Sequence, residues 1–146
     1  MLLSDVNVLI YAHRSESPEH PAYARWLTNL ANGHEPFGVS ELVLSSVVRI
    51  VTNPRIFKIP SPLETALAFA DALLRRPNAV RLRPGPRHYE IFARLCREAS
   101  ATGKLVADAF LAALAIEHGC EWVSTDSDFG RFPGLRWHHP LRPATH

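Results

Sequence analysis

Five acidic side chains, Asp5, Glu41, Asp108, Asp126 and Asp128, stand where carboxylates from distant parts of this sequence would meet. Asp5-Val6-Asn7 and Thr125-Asp126-Ser127-Asp128 each follow a short apolar run that reads as a strand, and Asp108 interrupts an otherwise apolar helix. In an open α/β sheet, ligands collect outside the carboxyl ends of the strands, so side chains placed there converge. Carboxylates brought together repel one another, and either some hold a proton or a cation neutralises them. A cation that prefers oxygen donors, Mg2+ or Mn2+, points to chemistry on phosphates.

Each position also has a plainer reading. Asp5 directly follows Leu2-Leu3-Ser4, where an Asp also serves as a helix cap or turn former. Asn7 beside it is placed to hydrogen-bond the loop and fix the direction of the carboxylate. Asp108 lies among Leu105, Val106, Phe110, Leu111, Leu114 and Ile116. A lone carboxylate there is costly unless it lines a cleft, pairs with a base or binds a cation. Lys104, one helical turn earlier, is the base in reach; the cation reading is favoured over that ion pair. Asp126 is nearer its strand end than Asp128 and is the better ligand, which leaves Asp128 an orienting position or a plain cap. Thr125 is placed to hydrogen-bond across to the Asp5 loop if the two strands are neighbours. Glu41 follows Ser40 in a first helical turn, where the helix dipole alone favours an acid.

The elements that must position these residues are legible in outline. Leu2–Ser4 reads as a buried strand, followed by a turn or helix through Val8, Leu9, Ile10 and Tyr11. Ser17-Pro18-Glu19 predicts a helix capped by Ser with Pro in its first turn, an apolar stripe of Trp26, Leu27 and Leu30, and a stop at Gly33. Phe37–Val39 predicts a strand, after which Ser40 caps a helix running toward Pro54. Ser61-Pro62-Leu63-Glu64 reads as a capping box opening a long helix that Pro77 closes. Alternation over 79–83 predicts a strand, and helices follow over 87–101 and 104–118, parted by Gly103 and ended by Gly119. Residues 121–124 form a further strand, and Leu135 with Trp137 suggests a short last one. Helices and strands alternate, which predicts an α/β fold with a mostly parallel central sheet between helical layers.

Composition narrows the class. A chain of 146 residues, 47% hydrophobic and 21% charged, fits a single domain over 1–146 with a real core, its tail loose after about Pro140. The net charge of +2 does not announce a nucleic-acid binder. Arg49, Arg55, Lys58, Arg75, Arg76, Arg81, Arg83 and Arg87 nevertheless fall in the middle third, either as a basic rim suited to a polyanion or as solvated surface. Cys96 and Cys120 define neither a disulfide framework nor a zinc spacing, and suit free thiols in a reducing cytoplasm. No basic leader precedes Asp5, and the longest apolar run, from Leu105 to Ile116, is short for a membrane span and contains Asp108. The expectation is a soluble, cytoplasmic protein with no membrane partner. His13, His20, His34, His88 and His118 fall on expected loops or helix ends, as surface residues rather than catalysts.

Ser4-Asp5-Val6-Asn7-Val8-Leu9, Lys104-Leu105-Val106-Ala107-Asp108-Ala109 and Ser124-Thr125-Asp126-Ser127-Asp128-Phe129 together resemble the motifs of PIN-domain ribonucleases, and more closely those of VapC toxins of bacterial type II toxin–antitoxin modules. Val51-Thr52-Asn53-Pro54-Arg55-Ile56-Phe57 and Phe132-Pro133-Gly134-Leu135-Arg136-Trp137 are similar to one branch of those toxins. The resemblance implies a three-layer α/β/α PIN fold and a metal-dependent endoribonuclease. Its metal ligands fall on Asp5, Asp108 and Asp126, with Glu41 a further catalytic acid. Many members place a Glu further into the helix that follows the second strand, where this chain has Ser45 and Ser46; Glu41 stands about a turn earlier. Implied partners are an RNA substrate, a small antitoxin whose tail enters the acidic pocket, and a second copy in a homodimer. Faces carrying Trp26, Leu27, Leu42 and Phe57 would serve such partners or the core. The alternative is a PIN-like module that binds RNA or protein without cutting.

Overall fold

A computed structural model describes residues 1–142; the last part of the tail expected to be loose lies outside the described residues. The central strand, β1 (Leu2–Ser4), is the first in the chain. On one side lies β2 (Phe37–Val39) and beyond it β3 (Ala79–Arg81); on the other lies β4 (Glu121–Val123) and beyond it β5 (Trp137–His138). Every pairing is parallel, in the order β3-β2-β1-β4-β5. The expected mostly parallel sheet is therefore wholly parallel among the described strands. Parallel strands are covered on both faces, which is why Leu3, Phe37, Val39, Trp122 and Val123 are all buried.

Among the described residues six helices flank the sheet: α1 (Val6–His13), α2 (His20–Asn32), α3 (Glu41–Val51), α4 (Leu63–Leu74), α5 (His88–Glu98) and α6 (Lys104–Glu117). Helix α1 packs on α2 and α3, α3 on α4, and α5 on α6. Helix α6 carries Ala109, Ala112, Ala113 and Ala115, each wholly buried, and small side chains of this kind let a helix backbone come close to its neighbours. Gly38 serves a similar close approach, since a Cβ there would stand 2.6 Å from Leu82 Cδ1.

Local signals hold where the capping group has no competitor. Ser40 accepts from Val43 N at 3.3 Å and starts α3 as expected. Gly103 and Gly119 bound α6 with φ of 58° and 66°, a region that favours glycine. Two expected caps are corrected. Ser17 bonds Glu19 instead of opening a helix at Pro18, and α2 begins at His20 with Pro21 in its first turn. Ser61 hydrogen-bonds His13 Nε2 at 3.0 Å and accepts from Arg14 Nη1 at 3.1 Å, so α4 starts at Leu63 without a side-chain cap. His88 is also corrected from surface to core. It is buried, donates through Nε2 to Phe110 O at 2.8 Å and fastens α5 to α6. Cys120 is buried and Cys96 half-buried, both as free thiols. Among the described residues no helix is long and apolar enough to cross a membrane.

Candidate active site

The sheet order places a topological switch between β1 and β4. The chain leaves β1 toward β2 and β3 on one side and returns as β4 on the other. The crevice at such a switch, beyond the carboxyl ends of the strands, is where an open α/β sheet exposes backbone and side chains to a ligand. Strands β1 and β4 are in register, with Ser4 opposite Val123, so the residues that follow each strand emerge side by side.

Asp5 is the first of these. Its N–H donates to Val123 O at 2.8 Å, carrying the β1–β4 ladder one residue beyond β1. As the N-cap of α1 it accepts from Val6 N–H through Oδ1 at 2.7 Å, and it accepts from Ser124 Oγ through Oδ2 at 2.6 Å. Burial raises its proton affinity above that of an ordinary Asp; the two hydrogen bonds and the Lys104 charge oppose the rise, and Asp108 adds to it.

Ser124 is wholly buried and joins the two acidic segments. While its hydroxyl donates to Asp5, it accepts from Asp126 N–H at 3.0 Å. Asp126 in turn caps a single 3-10 turn, Ser127–Arg131, taking Asp128 N–H on Oδ1 at 2.9 Å. Its other oxygen, Oδ2, lies 2.9 Å from Lys104 Nζ. The same ammonium lies 2.9 Å from Asp108 Oδ2, one turn along α6. Burial alone would raise the Asp126 pKa, but the Lys104 ammonium and the Asp128 amide outweigh it and hold the carboxyl below its usual range. Burial would likewise lower the Lys104 pKa, and its two carboxylate partners reverse that and raise it.

Of the expected residues, Asp5, Asp108 and Asp126 are thus linked through Ser124 and Lys104. Glu41 starts α3 beyond β2 and is turned to Arg83, which donates to it at 2.6 and 3.1 Å. It shares no hydrogen bond with the three Asp residues among the described contacts. Asn7 is exposed, and neither it nor Thr125 makes a side-chain hydrogen bond among the described residues; the orienting role expected of them belongs to Ser124 and the Val6 amide. Asp128 contributes through its backbone N–H. Ser124 and the reach of Lys104 to Asp126 were missed. The first depends on β4 lying beside β1 and the second on α6 packing against β4 and the turn after it, and the one available signal was a hydroxyl at the end of the 121–124 strand.

Among the described residues no three His, Cys, Asp or Glu side chains converge as a ready-made metal cluster. The donor set still suits Mg2+ or Mn2+ in kind, because Mg2+ keeps several waters and takes only one or two carboxylates from a protein. Asp108 and Asp126 both close on one cationic group, the Lys104 ammonium.

Residues 2–135 match the family model of the PIN domain. The whole chain is 48% identical to a VapC ribonuclease of Mycobacterium bovis, covering 99% of that protein. The chain belongs to the PIN-domain family, among the VapC ribonucleases. Ribonuclease VapC25 of Mycobacterium tuberculosis is 46% identical over 140 residues, 96% of this PIN domain's chain and 99% of its own. In fold, this PIN domain resembles the crystal structure of VapBC2 from Rickettsia felis bound to a promoter DNA fragment, with a TM-score of 0.68 at 20% identity over 94% of this chain and 97% of that one. It also resembles Mycobacterium tuberculosis VapC20, described as a sarcin–ricin loop cleaving toxin, with a TM-score of 0.63 at 17% identity over 93% and 99% of the two chains.

Proposed function

We propose that this chain is the toxin of a toxin–antitoxin module and hydrolyses RNA phosphodiester bonds, with Mg2+ or Mn2+ held by Asp5, Asp108 and Asp126. One observation carries the reading. Asp5 and Asp126, which follow β1 and β4, are joined through Ser124, and Asp108 and Asp126 hold the Lys104 ammonium between them. When bound, a divalent cation supplies charge against the phosphoryl and leaving oxygens. The chain's own contribution is orientation. Val6 N–H and Ser124 Oγ hold Asp5 in one direction, and Asp128 N–H holds Asp126. Glu41 joins the site only if Arg83 releases it. Arg81 ends β3 and Arg83 and Arg87 follow it, all three exposed, and they suit the backbone of an RNA substrate.

The VapBC complexes among its relatives in fold support a small antitoxin as partner, with an Arg or Lys of its tail reaching the acidic pocket in place of metal. Ile56, Ile59, Leu63 and Leu67 are exposed and give such a partner, or a second copy of this chain, apolar surface to cover. Cleavage of total RNA by the purified, antitoxin-free protein, with and without Mg2+ or Mn2+ and beside Asp108→Asn, tests the proposal. Discrete fragments that need metal and vanish in the folded variant support it. Intact RNA from folded wild type with metal present favours the second reading, a PIN-like module that binds RNA or protein without cutting. The Lys104 ammonium, lying between Asp108 and Asp126, is the observation on that side.

A further inference from the structure

Lys104 stands where a pocket of carboxylates needs a cation. Its Nζ is 2.9 Å from Asp108 Oδ2 and 2.9 Å from Asp126 Oδ2, and its charge also bears on Asp5. Mg2+ takes carboxylate oxygens at about 2.0–2.1 Å, well inside the reach of an ammonium hydrogen bond. An ammonium and a divalent ion drawing on the same two oxygens would also repel each other. The two compete for the same carboxylates, and of the groups present Lys104 is the one free to leave. The Asp108 side chain is 11% exposed and fixed in the body of α6, whereas Lys104 is the first residue of that helix and its side chain is 71% exposed. Rotating its stem into water disturbs no packing.

We propose that Lys104 is a tethered occupant of the metal position. Without a divalent ion it draws Asp108 and Asp126 together and offsets their repulsion with Asp5. A divalent ion displaces it, and the freed ammonium then stands at the mouth of the pocket, where the phosphate of an incoming RNA must pass. Lys104 is thus a positioning residue that sets how much metal the site requires and hands a positive charge to the substrate once the metal is in. The inference rests on the metal-dependent reading above.

The test is a calorimetric titration of the full chain with Mn2+, without RNA, comparing wild type, Lys104→Gln, Lys104→Arg and Lys58→Gln. Lys58 is exposed on the loop between α3 and α4, so its variant carries the same loss of charge away from the pocket. Removing a largely exposed competitor should tighten Mn2+ binding by about three- to tenfold in Lys104→Gln, while Lys104→Arg and Lys58→Gln bind as wild type does. Equal or weaker binding by Lys104→Gln, with wild type binding normally, overturns the role given to Lys104 and leaves the metal site standing. No Mn2+ binding by any of the four folded proteins overturns the metal reading and this inference with it. Tightening of equal size in Lys58→Gln overturns it as well, because the effect would then be one of net charge.

Discussion

Replacing Ser124 with Ala should destabilise the protein well beyond the loss of one small side chain. The hydroxyl is wholly buried, donates to Asp5 Oδ2 at 2.6 Å and accepts from Asp126 N at 3.0 Å. A hydrogen bond to a charged group contributes about 1.5–3 kcal/mol net, and a buried acceptor left without its donor adds its desolvation. The expected loss is about 2–4 kcal/mol at neutral pH, or about 6–12 °C in melting temperature for a domain of this size. The neutral, isosteric Asp5→Asn isolates the ionic part. In that background Ser124→Ala should cost about 1–2 kcal/mol less, the coupling expected of two groups in direct contact. Asp5 has a folded-state pKa raised above its unfolded value, chiefly by burial. Its stabilising contribution is therefore full below the unfolded pKa and is lost as pH rises through the folded one. Asp5→Asn, permanently neutral, should gain on wild type over that rise, and the Ser124→Ala penalty should shrink as pH falls and Asp5 takes up a proton. Urea unfolding of wild type, both single variants and the double variant, at neutral and acid pH, measures all of this. A Ser124→Ala penalty below about 0.5 kcal/mol, or one of equal size in both backgrounds, would refute the placement of Ser124 as the donor that holds a buried carboxylate.

The Glu117 carboxylate accepts from Gly85 N at 2.7 Å and Arg87 N at 3.0 Å, tying the turn before α5 to the end of α6. Burial alone would raise its pKa, but these amides outweigh it and hold it down, so its stabilising effect is present above the unfolded value and is lost as pH falls through the folded one. Glu117→Gln should therefore lose about 1–2 kcal/mol at pH 7, with the gap to wild type closing as pH falls through the folded-state pKa, as read from urea midpoints. Gly85→Ala should show a loss of similar order, because its Cβ would meet Glu117 Oε2 at 2.6 Å and push the carboxylate off both amides. Glu41→Gln breaks an exposed pair with Arg83 and should leave the melting temperature unchanged. It should slow RNA cleavage less than Asp108→Asn does in parallel assays, since Arg83 holds Glu41 apart from the Lys104 network; an equal loss would place Glu41 in the site.

Much of this protein is written locally. Leu2–Ser4 and Phe37–Val39 are strands because short apolar runs end at groups that cap the next helix, Asp5 and Ser40. Helix α6 stops where Gly119 takes a φ of 66°. Such features depend on residues within a turn of one another, so composition and spacing suffice to read them. Asp108 is legible in the same way, since a lone acid in an apolar helix is costly wherever the chain goes; Asp5 and Asp126 carry a local reading as caps, and both do cap the turn that follows them. Where a polar group had partners across space, local reading failed. The Ser61 hydroxyl went to His13 and Arg14, and His88 went inward to Phe110. Lys104 shows the division within one side chain. Its bond to Asp108 follows from helical spacing, while its bond to Asp126 spans 22 residues and exists because α6 packs against β4 and the turn that follows it. Ser124, rather than Thr125, holds Asp5 because β4 pairs with β1. The sequence by itself determined that Asp5 and Asp126 would follow strands and that Asp108 would stand in an apolar helix. Tertiary structure alone decided which neighbours hold them, because strand order fixes which loops emerge together and no residue encodes that order by itself.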